Sequence, residues 1–297
     1  MTRKKQTLLI GAHMSISGGL EKAIKQGDSI NCSVIQLFTK NNRQWHAKKL
    51  SADEIALFKK AAQESPIKCI VAHASYLINI GSPKNDVAAK SATALRRELE
   101  RCQELDIPYL VLHPGSHLGH DEQEALERIA HNLDAALEAA PGHTSILLET
   151  MAGQGSSVGH TFKQIATIIE LSRHKKRLGV CLDTCHVFAA GYDMSTKPNY
   201  EKMWQEFDGT IGINKLKVIH VNDSKKEVGS HVDRHEHIGK GKIGINGFKL
   251  LFNDERFFDI PKILETPKAT LADDEKNIKT LISLLSTETK KYLEIFE

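Results

Sequence analysis

The chain has 297 residues, 40% of them hydrophobic and 26% charged, so it is long enough to bury a sizeable core as one or two α/β domains. The 40 Lys and Arg against 37 Asp and Glu leave a formal net charge of +3, so a nucleic acid could bind only through a local basic surface. The basic start MTRKKQTLL has an apolar run that breaks at Gly11, too early for a signal peptide or a membrane span. The five cysteines form an odd set without CxxC, which suits a reducing compartment. We therefore expect a cytoplasmic protein with no membrane contact.

Eight short β-rich runs recur along the chain. They are residues 8–11, 34–38, 68–72, 109–112, 145–148, 179–182, 216–219 and 261–264. Between them lie segments with apolar residues three and four positions apart, such as residues 86–105 and 122–140, which predict amphipathic helices. No linker or composition shift divides these units, so residues 1–297 are expected to form a single domain. Eight near-regular β-α units predict an α/β protein, a single (β/α)8 TIM barrel, and an open doubly wound sheet is the alternative.

Side chains that can bind metal ions close the predicted strands. In a (β/α)8 barrel the C-terminal strand ends meet at one mouth, where active sites lie. The residues at these ends are His13 or a neighbour, His73, His113, Glu149, Asp183, His220 and Glu265. One such residue alone is more often a hydrogen-bonded structural group. Burying so many of them without a cation would cost several kcal/mol per charge, so the set predicts a metal cluster.

Two segments add further candidates. His186 follows Asp183 by three residues in GVCLDTCHVFAAGYD, so both can bind the same ion or neighbouring ions. Asp233 and His235 are separated by one residue in GSHVDRHEHIGKGKIG and could point the same way. The glycines of that second segment would let backbone amides approach an anion, although a solvated loop is the more ordinary explanation. Cys185, inside DTCH, could bind zinc, but without a CxxC partner we interpret it as a small buried filler.

The candidate ligands are four carboxylates and five histidines, too many for one tetrahedral ion with an open position. Two or three ions are therefore expected, with a carboxylate such as Glu149 as the bridge. Mixed imidazole and carboxylate ligands suit Zn²⁺, Mn²⁺ or Fe²⁺ better than Ca²⁺ or Mg²⁺. Closely spaced ions lower the pKa of a bound water and stabilise the attacking and leaving oxygens of a phosphoryl displacement. Hydrolysis of a phosphate ester is the leading chemistry.

The sequence resembles the endonuclease IV family of apurinic/apyrimidinic (AP) endonucleases. The matching segments run in order along nearly the whole chain: GAHMSISGG (11–19), FTKNNRQW (38–45), HASYLINIGSP (73–83), LHPGSH (112–117), LETMAGQGS (148–156), GVCLDTCHVFAAGYD (179–193), HVNDSK (220–225), GSHVDRHEHIGKGKIG (229–244) and ILETP (263–267). The resemblance implies a (β/α)8 barrel with three divalent ions at its mouth. We expect these to be Zn²⁺, with Mn²⁺ or Fe²⁺ as alternatives at one site.

The resemblance also implies three ligand sets, carried over position by position. His73, His113 and Glu149 would bind the first ion. Glu149, Asp183, His220 and Glu265 would bind the second, with Glu149 as the catalytic metal bridge. His186, Asp233 and His235 would bind the third.

The activity implied by the resemblance is hydrolysis of the phosphodiester 5′ to an abasic site in duplex DNA, leaving a 3′-hydroxyl and a 5′-deoxyribose phosphate. Arg43, Tyr76 and Leu77 resemble the residues with which the family enters the base stack, and we call these three residues the DNA wedge. From the spacing alone, ordinary loop residues would explain them equally well. The abasic site comes only from the resemblance, whereas the ligands themselves indicate phosphoester hydrolysis.

Two other functions stay open at this point. A metal-dependent sugar isomerase or epimerase uses the same barrel type but needs one or two metals, so a third ligand set speaks against it. A non-catalytic protein that stores metal or senses damaged DNA is the other alternative. With no obvious apolar outer stripe left over, we expect a monomer.

Overall fold

The structure, a computed structural model, describes residues 5–295. Eight parallel strands close into a barrel, in which each strand pairs with the next along the chain and the last pairs with the first. They are β1 (Ile10–Met14), β2 (Val34–Phe38), β3 (Cys69–His73), β4 (Tyr109–Leu112), β5 (Ser145–Glu149), β6 (Leu178–Asp183), β7 (Leu216–His220) and β8 (Lys262–Leu264). The predicted (β/α)8 barrel is confirmed, and the open doubly wound sheet is wrong.

The first strand lies later than its prediction. The β-rich run at residues 8–11 predicts a strand that ends at Gly11, but β1 spans Ile10–Met14 with Gly11 inside it. Gly11 does not end the strand. Glycine is needed there because the neighbouring backbone is too close for a side chain: a Cβ would lie 1.7 Å from the carbonyl oxygen of Val34. The preceding residues Gln6–Thr7 pair instead with Leu293–Glu294, in a separate two-stranded sheet. The other strand predictions agree with the structure to within one residue.

Helices follow the strands and surround the barrel. They are α1 (Leu20–Ser29), α2 (Ala52–Glu64), α3 (Asn85–Glu104), α4 (Glu122–Ala139), α5 (Phe162–Leu171), α6 (Thr184–Ala190), α7 (Lys197–Thr210), α8 (Gly244–Phe252), α9 (Leu271–Ser283) and α10 (Thr289–Tyr292). The predicted helices at residues 86–105 and 122–140 are confirmed as α3 and α4. Short 3₁₀ turns at Lys175–Arg177, Ile213–Lys215 and Glu255–Phe257 lead into β6, β7 and β8. Among the helices of residues 5–295, none has the length and apolar character needed to cross a membrane.

The barrel interior is closed by one apolar layer just below the mouth. Its members are Val34, Val71, Val111, Leu147, Cys181, Val218 and Ile263. Side chains alternate along a strand, so the residue two positions after each member points to the same inward side. Six of these positions, counted from Val71 onward, are His73, His113, Glu149, Asp183, His220 and Glu265. The apolar layer is therefore the floor on which the strand-end candidates lie.

Candidate metal centre

The structure brings all nine predicted ligands together at the mouth. Their donor atoms form overlapping groups, within each of which the atoms lie no more than 4.8 Å apart. The groups are His73, His113 and Glu149; Glu149, Asp183, His220 and Glu265; Asp183, His186 and His235; and Cys185, Asp233 and His235. His13, the candidate from the first strand, lies 3.3 Å from Glu265 through Nδ1 but belongs to none of these groups.

Glu149 lies between the first two groups. It ends β5 and is completely buried. Its Oε2 lies 3.1 Å from Nε2 of His73 and 3.1 Å from Nε2 of His113, whereas its Oε1 lies 3.1 Å from Nδ1 of His220. Burial raises the pKa of the Glu149 carboxyl, but the charges of His220 and His113 outweigh it and the pKa lies well below its ordinary value. Glu149 is thus an ionised carboxylate that presents one oxygen to each group.

Asp183 sets the position of His186. It is the last residue of β6 and also the N-cap of α6, where its Oδ1 accepts a hydrogen bond from the His186 amide at 2.9 Å. The helix therefore begins directly at the strand end and carries His186 back over the mouth. Burial lowers the pKa of His186, but the charges of Asp183 and Asp233 outweigh it and the pKa lies well above its ordinary value.

Hydrogen bonds to acceptor oxygens fix which ring nitrogen of the histidines is free. The bonded nitrogens are His73 Nδ1 to Ala74 O at 2.7 Å, His186 Nδ1 to Thr150 O at 2.8 Å, His235 Nδ1 to Glu265 O at 3.0 Å and His220 Nε2 to Gln36 Oε1 at 2.8 Å. An oxygen of this kind only accepts, so each bonded nitrogen carries the hydrogen. In the neutral imidazole, the form that binds a metal ion, the opposite nitrogen has the lone pair, and it is this nitrogen that faces the carboxylates.

The third predicted ligand set, His186, Asp233 and His235, is divided between two of these donor groups and provides a test of whether cations fit this site. Nε2 of His186 and Nε2 of His235 are buried and have no hydrogen-bond partner within residues 5–295. Carboxylate oxygens of Asp233 nevertheless lie 3.2 Å and 3.3 Å from them. Buried polar atoms that face one another without a hydrogen bond are costly unless an ion lies between them. The donors, imidazole nitrogens and carboxylate oxygens, fit divalent ions of the zinc type.

The three residues of the DNA wedge lie on two loops at the mouth. Tyr76 is 55% exposed, and its ring centroid lies 5.3 Å from those of His73 and His113. Arg43 is exposed on the loop after β2, and Leu77 is half-buried beside Tyr76. Tyr76 is therefore adjacent to the first ligand group.

The glycine-rich segment differs from its prediction. An anion does approach its backbone amides, but it is the chain's own carboxylate of Asp223 rather than an external ligand. This carboxylate accepts from the amides of Gly241 at 2.9 Å and Ile243 at 3.0 Å. Cys185 is fully buried, as expected for a filler, but its sulfur also lies in one of the donor groups.

Residues 24–287 match the family described as the xylose isomerase-like TIM barrel, the class that this barrel and its mouth define. The probable endonuclease 4 of Chloroflexus aurantiacus is 47% identical over 277 residues, covering 93% of this chain and 97% of that protein. The crystal structure of endonuclease IV from Thermus thermophilus matches with a TM-score of 0.83 and 34% identity, over 93% of this chain and 98% of that one. The chain belongs to the endonuclease IV family, and it is a hydrolase that cleaves DNA.

A D-tagatose 3-epimerase-like protein also matches, with a TM-score of 0.69 and 20% identity over 92% of this chain and 96% of that one. At this identity the likeness shows the shared fold alone. The sugar isomerase alternative therefore has only the barrel in its favour, whereas the nuclease has both the barrel and the family.

Proposed function

We propose that this chain is a metal-dependent AP endonuclease that hydrolyses the phosphodiester 5′ to an abasic site in duplex DNA. The products would be a 3′-hydroxyl and a 5′-deoxyribose phosphate, as base excision repair requires. The observation that carries the proposal is Glu149, a buried carboxylate with one oxygen facing His73 and His113 and the other facing His220. A carboxylate in this position suits a bridge between two ions.

Three divalent ions would be held here, most simply Zn²⁺, with Mn²⁺ or Fe²⁺ as alternatives at one site. His73, His113 and Glu149 would hold the first. Glu149, Asp183, His220 and Glu265 would hold the second, and His186, Asp233 and His235 the third. When bound, such ions lower the pKa of a water and stabilise the charge that develops on phosphate oxygens.

The chain's own residues supply the rest of the reaction environment. The carboxylates of Glu149, Asp183 and Glu265 give the mouth a negative charge that repels DNA phosphate unless cations offset it. Arg43, Tyr76 and Leu77 would enter the base stack at the lesion. Extruding a nucleotide costs least where a base is missing, so this step would itself select abasic sites. We propose that residues 1–297 act as a single domain, as a monomer in the cytoplasm.

A nicking assay tests this function. The substrate is an end-labelled duplex with one abasic-site analogue, beside an intact duplex of the same sequence, each with and without prolonged chelation. We expect a single cut 5′ to the analogue, lost on chelation and lost in Glu149→Gln, which removes the bridging charge while keeping the shape. No cut by a protein that holds about three metal ions per chain would contradict the proposal and direct attention to sugar phosphates.

A further inference from the structure

The two loops that carry the DNA wedge share one buried partner on α3. Residues 39–50 follow β2 and residues 74–84 follow β3. Glu98 on α3 is 1% exposed, and its two carboxylate oxygens divide between these loops. Oε2 accepts a hydrogen bond from the Thr39 hydroxyl at 3.0 Å, and Oε1 accepts one from the Ser75 amide at 3.3 Å. Thr39 begins the first loop, and Ser75 immediately precedes Tyr76.

A buried cation continues the contact into the first loop. Lys40 is 7% exposed, and its Nζ lies 3.4 Å from Oε1 of Glu98. The same Nζ donates to the carbonyl oxygens of Asn41 at 3.3 Å and Gln44 at 2.7 Å. These two carbonyls lie on either side of Arg43 in the sequence. The charge of Glu98 thus holds the lysine that closes the turn presenting Arg43.

Two further contacts complete the network. Arg101, one helical turn after Glu98, donates to the carbonyl oxygen of Lys48 at 2.7 Å and to that of Thr39. The Ser75 hydroxyl donates to the carbonyl oxygen of Asn42 at 2.6 Å and so joins the two loops directly. Neither loop has regular secondary structure at these residues, so side chains supply the partners that their backbone groups need.

We infer that Glu98 is a positioning residue for DNA recognition, which holds Arg43 and Tyr76 in the geometry that enters the base stack. A buried ion pair is a weak way to gain stability, because desolvation offsets most of the attraction. A fully bonded network that spans two loops does fix their relative position before the ligand arrives. The inference rests on the proposed function for its consequence in DNA binding, but the loop geometry can be tested without DNA.

The kinetic arm uses Glu98→Gln, Ser75→Ala and a matched control, Glu104→Gln, which removes the same charge from the exposed end of α3. Glu98→Gln leaves Lys40 without its ionic partner, and Ser75→Ala removes the bond between the loops without leaving a buried charge. We expect each substitution to raise KM for the abasic duplex roughly tenfold. This is the cost of breaking one buried hydrogen bond that either involves a charged group, as at Glu98, or is short, as at Ser75. The kcat and the metal content of both variants should stay close to those of the wild type.

The structural arm uses a fluorophore that the chain already contains. Of its two tryptophans, Trp45 lies in residues 39–50 and is 39% exposed, whereas Trp204 is 1% exposed. Acrylamide quenching therefore reports on the first loop. We expect the quenching constant to rise in Glu98→Gln and Ser75→Ala, and to be unchanged in Glu104→Gln. If the wild type cut no abasic DNA, the proposed function would fail, and the quenching result would still decide whether Glu98 holds the loop.

A mutant cycle on an Arg43→Ala/Tyr76→Ala background decides whether Glu98 acts through the DNA wedge. If it does, Glu98→Gln should raise KM much less on this background than on the wild type, because both groups being positioned are already absent. Equal increases on both backgrounds would overturn the inference. So would quenching and KM values of Glu98→Gln and Ser75→Ala that match those of Glu104→Gln.

Discussion

Asn222 donates a side-chain hydrogen bond to Oδ2 of Asp183 at 2.7 Å, at the centre of the ligand groups. Its side-chain oxygen accepts from the backbone amide of Glu265 at 2.8 Å, so this one amide joins the ends of β6 and β8. Asn222 is completely buried, and its own backbone exchanges hydrogen bonds with the Thr184 hydroxyl. The orientation of the Asp183 carboxylate is thus set by a residue that belongs to none of the donor groups itself.

Replacing Asn222 with Ala should weaken metal binding. Without the amide, Asp183 is free to rotate, and groups that orient a ligand are commonly worth about ten- to hundredfold in metal affinity. Competition with a chelator, followed by measurement of the metal content per chain, checks this. Asn214→Ala, at an exposed asparagine just before β7, is the control. An Asn222→Ala protein that kept its ions as tightly as this control would show that Asp183 needs no such support.

Replacing Tyr76 with Ala should impair cleavage of abasic DNA while leaving the metal content unchanged. The ring lies beside His73 and His113 but contributes no donor atom to their group. Loss of an aromatic group that stacks on bases typically costs about 1–3 kcal/mol per base, so binding should fall by at least about fivefold. Gel-shift titration and metal analysis of the same preparation measure both quantities. Tyr76→Phe, which keeps the ring, should bind DNA like the wild type, and equal loss of DNA binding and metal would argue against a wedge.

The sequence predicts the strands and their end residues well because side chains alternate between the two faces of a strand, so every second residue points inward. Val71 and His73, or Leu147 and Glu149, are the inward pair of one strand, so an apolar run that ends in a polar residue already places that residue at the mouth. Gly11 is the exception. It does not mark a turn but lies inside β1, where the backbone of Val34 is too close for a side chain.

Groups that orient the ligands could not be predicted in the same way. Asn222 and Gln36 hydrogen-bond Asp183 and His220 across 39 and 184 positions of the chain, and no local pattern encodes such a distance. The glycine-rich segment was likewise ambiguous, because small residues suit an internal carboxylate such as that of Asp223 as well as an external phosphate.

Replacing Asp223 with Asn should destabilise the fold and loosen the segment around Gly241. The carboxylate accepts from several amides at once, including those of Ser224 at 2.8 Å, Gly241 at 2.9 Å and Ile243 at 3.0 Å. An Asn side chain has a single acceptor oxygen, so its NH₂ group would face a backbone N–H, and the lost bonds should cost about 2 kcal/mol. Urea unfolding measures the difference, with exposed Asp53→Asn as the control. Equal stability of the two variants would mean that the segment finds other partners.

Lys262 is a buried amine at the opposite end of the barrel from the mouth. It begins β8, is 1% exposed, and donates to the carbonyl oxygens of Phe257 at 2.5 Å and Ile260 at 2.9 Å. Burial lowers the pKa of the Lys262 amine to about 7, and the carboxylates of Asp259 and Asp254 oppose this only in part. The folded chain therefore holds this lysine largely uncharged in weakly alkaline solution.

The stability of the protein should consequently depend on pH through Lys262. The unfolded chain binds the proton up to the ordinary pKa of 10.5, but the folded chain binds it only below about 7. Between these values the unfolded state holds more protons, so the stability of the wild type rises with pH, and below pH 7 both states are protonated and the effect is constant. From pH 7 to pH 9.5 the wild type should gain about 3 kcal/mol relative to Lys262→Met, which cannot titrate. Urea unfolding of both proteins at the two pH values gives this difference. Lys249→Met, at an exposed lysine of α8, should show no such change, and a pH-independent gap between the wild type and Lys262→Met would mean that Lys262 keeps its charge when buried.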